Sequence, residues 1–257
     1  MNSLDYFLPD LALAHPSWRA VLRQALEAIH VTYPNYFSEL THAQFLPTQH
    51  RLFAAFSIPL AEVKFVLVGE GPYPRDLSAT GYCFMDGAVN EIWSNEKNAG
   101  LSKAVNRATS LRNFIKMLLL ADGRLSNEDT GIGALAPIAQ QFRASPEHFV
   151  QTMSQLQENF LRQGFLMLNA SLVFRNHVAP SIDAKVWQVF LEVILKALSS
   201  QKNKPALILW GKIADRLATV PNVSDFEIIA SEHPYNLSFI QNAEMHQLFA
   251  ALKLLYR

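Results

Sequence analysis

Four short apolar runs constrain this chain more than any other feature: residues 65–68 (FVLV), 164–168 (GFLML), Ala206–Trp210 (ALILW) and 226–230 (FEIIA). Each ends abruptly, at GEGPYPR, NAS, GK and SEHPYNLS respectively. Runs of this length bounded by turn signals read as buried strands, and the helical patterns between them call for parallel pairing with right-handed crossovers. Open parallel sheets bind ligands beyond the carboxyl ends of their strands, which is where these stops fall. The expected fold is a three-layer α/β/α sandwich around a central four-stranded, mainly parallel sheet. Glu70, Asn169, Gly211 and His233 are expected along one edge of it.

Between the runs, Ser17 opens a helical pattern with Trp18, Val21, Leu22, Ala25 and Ile29 on one face, stopped by Pro34. Further helices are predicted over 47–56, over 110–120 with Leu111, Phe114, Ile115 and Leu118 inward, over 182–198 and over 241–256. Ser145, Pro146 and Gly164 frame another over 146–163, as N-cap, first helical residue and terminator, burying Phe149, Met153, Leu156 and Phe160. The stretch 121–144 is polar and contains glycine, which marks a surface excursion. With no Ser/Gly- or Pro-rich linker, 1–257 reads as one domain whose first 45 residues form a helical extension.

Charge narrows the partners. Twenty-two basic residues balance 22 acidic ones, so attraction to a polyanion requires a local basic surface rather than a whole-protein field. A lone cysteine, Cys83, excludes internal disulfides and four-thiolate metal sites. No run is long enough to span a bilayer, and MNSLDYFLPD lacks the basic-then-apolar order of a signal peptide, so a cytoplasmic chain without a membrane partner is expected. A monomer is expected too, though nothing in the sequence fixes the oligomeric state.

Common motifs are missing or out of context. Gly131-Ile132-Gly133-Ala134-Leu135-Ala136 fits the loose dinucleotide pattern, but the LSNEDT before it is no strand. There is no phosphate loop and no nucleophile elbow. The eight histidines lack metal spacing, so neither metal nor organic cofactor is expected. His15, His30, His42, His50, His148, His177 and His246 read as ordinary surface or structural residues. His233 stands apart, in a strand-to-helix loop just before a proline. Taken singly, Asn169 is equally an Asx turn closing a strand, whereas Tyr73 and Phe84 read better as core aromatics; the four together shift the balance to a site.

Read in order, these segments resemble the uracil-DNA glycosylases, closest to the family-1 branch. FLPTQHRLFAAFSIPLAEVKFVLVGEGPYP is similar to that family's first strand and water-activating loop, usually GQDPYH. RATSLRNFIKML resembles the proline–serine loop and its helix, and QENFLRQGFLMLNASLVFR the uracil-reading strand. LILWGK and SEHPYNLS resemble the last two strand ends, the latter the HPSPLS loop that enters the minor groove. The likeness runs from about Trp18 to the C-terminus, outside 86–103 and 121–144.

The resemblance implies roles residue by residue. Asn169 would bond the Watson–Crick edge of a flipped uracil, Phe84 would stack on it, and Tyr73 would exclude the thymine methyl. His233 would donate to O2 as charge develops there. Leu237, followed by Ser238, would wedge into the base stack, while Arg75 and Lys212 are candidates for phosphate contacts. The first loop departs from the pattern: Gly71 stands where the family carries a catalytic aspartate, Glu70 replaces glutamine and Pro74 replaces histidine. Tyr235-Asn236 also replaces serine and proline. The implied activity is hydrolysis of the uracil–deoxyribose bond in DNA, slowed by the loss of that carboxylate, with Glu70 as its possible deputy. The alternative is a degenerate glycosylase fold serving as a DNA-binding or protein-interaction module. A third reading, an unrelated small-molecule α/β enzyme, needs another catalytic constellation, and the sequence contains none.

Overall fold

The computed structural model describes residues 3–96 and 98–257. Its sheet has four strands, β1 (Phe65–Gly69), β2 (Phe165–Asn169), β3 (Ala206–Trp210) and β4 (Ile228–Ser231), in the order β2-β1-β3-β4. β1 pairs in parallel with β2 and β3, with Gly69 opposite Asn169. Backbone bonds Leu207 N to Glu227 O and Gly211 N to Ser231 O, both 2.8 Å, advance together by four residues, so β4 is parallel as well. All four carboxyl ends therefore share one edge, as the polar stops demanded.

Alternation explains why these strands are apolar throughout. Val66, Val68, Leu166, Leu168, Leu207 and Leu209 join one core, while Leu67, Met167 and Ile208 point to the opposite face and are buried too. β1, β2 and β3, covered on both faces, leave no polar side there, whereas β4 is partly exposed along its length.

The chain packs as two compact units. The first comprises Met1–Asp86, Gly164–Leu209 and Ile213–Ile228. Here helix α1 (Arg19–Thr32) and the 20-residue α5 (Pro180–Ser199) supply Leu22, Ala25, Leu26, Ile29, Trp187, Phe190, Leu191 and Ile194 to the core. Phe7, Leu11 and Trp18 are buried in that core, so the N-terminal helices belong to it. The second unit comprises Gly87–Gln163, Trp210–Lys212 and Ile229–Arg257. Its longer helices are α2 (Thr109–Ala121), α3 (Ile132–Ala144), α4 (Met153–Arg162) and α6 (Ala243–Ala250). Phe114 of α2 anchors an aromatic cluster with Phe160, Trp210 and Phe249 at 5.2–5.8 Å.

Four local expectations need correction. Residues 47–56 form no α-helix: Gln49 and His50 both adopt left-handed conformations, Asp10 Oδ1 takes the Leu52 N–H, and only Ala54–Ser57 makes a 3₁₀ turn. The 121–144 stretch is not simply an excursion, since α3 buries Leu135, Ile138, Ala139 and Phe142. The 146–163 helix starts only at Met153, where Thr152 and Gln155 form a reciprocal capping box. Upstream of it, Val150 N–H bonds Leu255 O and Arg257 N–H bonds His148 O, tertiary pairings that compete with a helical ladder. The closing segment is a 3₁₀ turn, Leu237–Gln241, followed by the shorter α6, which Asn242 caps through Met245 N–H at 3.1 Å.

Candidate active site

In the first unit, backbone bonds hold the post-β1 loop against the end of β2. Ala170 N–H donates to Gly69 O at 2.8 Å and Ser171 N–H to Glu70 O at 3.1 Å. Asn169 is the last residue of β2 and only 3% exposed, yet its Oδ1 has no hydrogen-bond partner. Buried polar atoms are nearly always paired, so this orphaned amide oxygen at a strand end marks a candidate acceptor for a ligand; Ser78 Oγ and His30 Nδ1 are unpaired as well. Gly69 makes room for that amide: a Cβ there would lie 3.1 Å from Asn169 Oδ1 and 2.8 Å from Cys83 Cβ.

The aromatic residues are brought to the same place by Cys83, whose N–H bonds Met167 O at 3.1 Å and whose thiol bonds Leu67 O at 3.2 Å. Burial pushes the Cys83 thiol far above its usual range, so it is a packed anchor and not a nucleophile. Phe84 follows, half-buried and held at φ +65, a conformation costly for an aromatic residue and characteristic of functional sites. Tyr73 Oη donates to Phe84 O at 3.4 Å. Burial foremost, then the Asp86 carboxylate, drives the Tyr73 phenol well above its ordinary value, against the opposing pull of Arg75. It stays protonated, a neutral wall beside Phe84.

Glu70 and Gly71 are exposed and line a cleft of about 650 Å³ together with Ser171, Lys185 and Arg216. A Cβ on Gly71 would meet only Ser171, at 3.6 and 3.8 Å, and Gly71 is not in the left-handed region. Glycine here is thus not required by the backbone. Arg75 is exposed but lies 3.5 Å from the buried Asp86 carboxylate, so its charge is shared. Sequence reasoning missed Lys185 and Arg216, because nothing local distinguishes them from solvated helical cations.

In the second unit, the SEHPYNLS loop is built around His233. Its Nδ1 accepts the Tyr235 N–H at 3.1 Å, which places the proton of the neutral ring on Nε2. Gly211, at φ +69, lets the turn after β3 approach closely; a Cβ there would lie 2.8 Å from His233 Cβ. Lys212 next to it is exposed. Leu237 is 71% and Tyr235 67% exposed, two large apolar side chains on one loop. Ser238 does not face solvent alone: against desolvation, its hydrogen bond, then a backbone bond and one from Asn242, hold the Glu232 carboxyl below the usual glutamate range. Asn113 was not legible as part of this loop from sequence, and Glu232, within SEHPYNLS, was given no role there.

The class this defines is a parallel α/β protein with polar candidate residues at the carboxyl ends of its strands. No family model matches the chain. It is, however, similar to the wild-type UNG crystal structure from Nitratifractor salsuginis, at 37% identity and TM-score 0.87, covering 99% of this chain and 97% of that one. Among curated proteins it is similar to the uracil-DNA glycosylase of Flavobacterium johnsoniae, 27% identical over 233 residues, covering 87% of this chain and 85% of that protein. The enzyme of that name from Streptococcus mutans is 25% identical over 229 residues, covering 88% and 86%. The chain belongs to the uracil-DNA glycosylase superfamily.

Proposed function

We propose that this chain hydrolyses the N-glycosidic bond between uracil and deoxyribose in DNA, as a monofunctional glycosylase of base excision repair, with the loops of the family-1 branch. The observation that carries the reading is the buried, unpartnered Oδ1 of Asn169 at the end of β2, with Cys83, the residue before Phe84, bonded to Met167 O of that strand and Tyr73 bonded to Phe84 O. An amide offers acceptor and donor together, matching the N3–H and O4 of a uracil turned out of the duplex. Phe84 stacks on the ring. Tyr73, uncharged, occupies the space of a thymine methyl and so discriminates by exclusion.

Bond cleavage leaves negative charge on the base, and His233 stabilises it by donating from Nε2 to O2. Preorganised donors of this kind are often the largest catalytic term, about 3–4 kcal/mol for one of them. Leu237 fills the gap left by the extruded nucleotide and offsets part of the few kcal/mol that flipping costs. Ser238, Arg75 and Lys212 contact the backbone, Arg75 in competition with Asp86. No carboxylate stands at position 71 to balance the sugar cation, so cleavage is slow, with Glu70 the nearest substitute.

The absence of that carboxylate also favours a second reading, a fold kept for DNA or protein binding without turnover. Labelled DNA containing uracil, hypoxanthine, xanthine or a thymine mismatch, incubated with the protein and then cleaved with alkali, separates the two. Strand breaks at uracil are expected; binding to uracil-containing DNA with no breaks would leave the binding module.

A further inference from the structure

The sequence places Asn113 in the middle of α2, where a short amide is an ordinary helical surface residue. It is instead fully buried, and its Nδ2 points at three successive carbonyls of the last loop: Pro234 at 2.8 Å, Tyr235 at 3.3 Å and Asn236 at 3.4 Å. Arg112 Nε donates to its Oδ1 at 3.4 Å, which fixes which way the amide faces. One side chain thereby ties down the peptide units that follow His233.

Those peptide units matter for the imidazole. The Tyr235 N–H that fixes the His233 tautomer belongs to the segment whose carbonyls Asn113 holds, and Asn236 N–H closes the same turn onto His233 O at 2.9 Å. If the turn loosens, Nδ1 loses its donor and the ring is free to place its proton on either nitrogen. We infer that Asn113 is a positioning residue for catalysis: by clamping the 234–236 backbone it keeps the His233 proton on Nε2, the nitrogen that serves the leaving base. Asn113 touches no substrate in this scheme and acts only through the loop. The kinetic consequence rests on the glycosylase reading, whereas the tautomer is a property of the protein alone.

The test pairs ring-nitrogen NMR of ¹⁵N-histidine-labelled protein with single-turnover kinetics on uracil-containing DNA. In the parent, His233 Nδ1 should resonate as an unprotonated nitrogen and Nε2 as a protonated one. Asn113→Ala should mix the two tautomers and lower kcat at least about tenfold, with KM changing less, in line with the typical contribution of a positioned proton donor. Tyr235→Pro, at an exposed position, removes the N–H directly and should give the same signature; it carries the test should Asn113→Ala fail to fold. The two changes combined should be no worse than the stronger one alone. A folded Asn113→Ala that keeps both the parent tautomer and the parent kcat would overturn the inference, as would mixed tautomers without any fall in rate. An inactive parent with the expected ring spectra would instead retire the glycosylase reading and leave the clamp standing.

Discussion

Gly71→Asp is expected to speed cleavage, and its size can be worked from the site. The new Cβ meets Ser171 O at 3.6 Å and Ser171 Cβ at 3.8 Å, ordinary contacts, and the backbone is not left-handed. Stability should therefore change by no more than about 0.5 kcal/mol. A carboxylate about 4 Å from a developing sugar cation gains about 4 kcal/mol at an effective dielectric of about 20. Loss of one preorganised electrostatic group in other active sites gives about 3–4 kcal/mol, so a rate gain of about 10²- to 10³-fold is the upper expectation. Lys185 and Arg216 line the same cleft and would reduce it by neutralising part of the charge. Single-turnover alkaline-cleavage assays on one-uracil oligonucleotides measure the gain, with Gly71→Ala controlling for backbone effects and Glu70→Gln asking whether Glu70 already acts. A folded Gly71→Asp that binds uracil-containing DNA yet cleaves within about twofold of the parent, alone and with Glu70→Gln, would refute the reasoning.

Asn169→Asp should weaken uracil recognition at least about tenfold, because the carboxylate loses the amide donor and presents charge to O4; competition binding with free uracil reads this. Tyr73→Ala should admit thymine while uracil cleavage persists, measured on matched thymine and uracil substrates, and no thymine cleavage would place the gate elsewhere. Gly69→Ala forces Cβ to 2.8 Å from Cys83 and should destabilise by about 1–3 kcal/mol in denaturant melts. Acid should weaken the second unit. Against desolvation, hydrogen bonds from Lys253, Tyr256 and Arg124 hold the Asp122 carboxyl below its ordinary value. Its contribution is thus present above the unfolded value of about 4 and lost as pH falls through the lower folded one. Asp122→Asn should flatten that limb of a melting-temperature profile.

Buried parallel strands admit only apolar residues, which made β1, β2 and β3 readable in advance; β4 is partly exposed but its run is apolar too, and all four runs became strands within two residues of the expected bounds. The polar stops were readable because they interrupt the apolar runs, although Asn169, Ala170 and Ser171 after β2 are themselves buried. Residues whose chemistry is local to those stops, Asn169, His233 and the Tyr73 loop, could be nominated from the sequence. Helix boundaries were not, since Thr152 competes with Ser145 as a cap, and the pairings of Val150 with Leu255 and of His148 with Arg257 favour the later start. Tertiary structure alone showed that Phe84 is strained, that Asn169 Oδ1 is orphaned and that Asn113 reaches across 121 residues of chain to Pro234. Each of these depends on what a side chain meets from a distant segment, and a helical asparagine looks the same in sequence whether it meets water or three carbonyls.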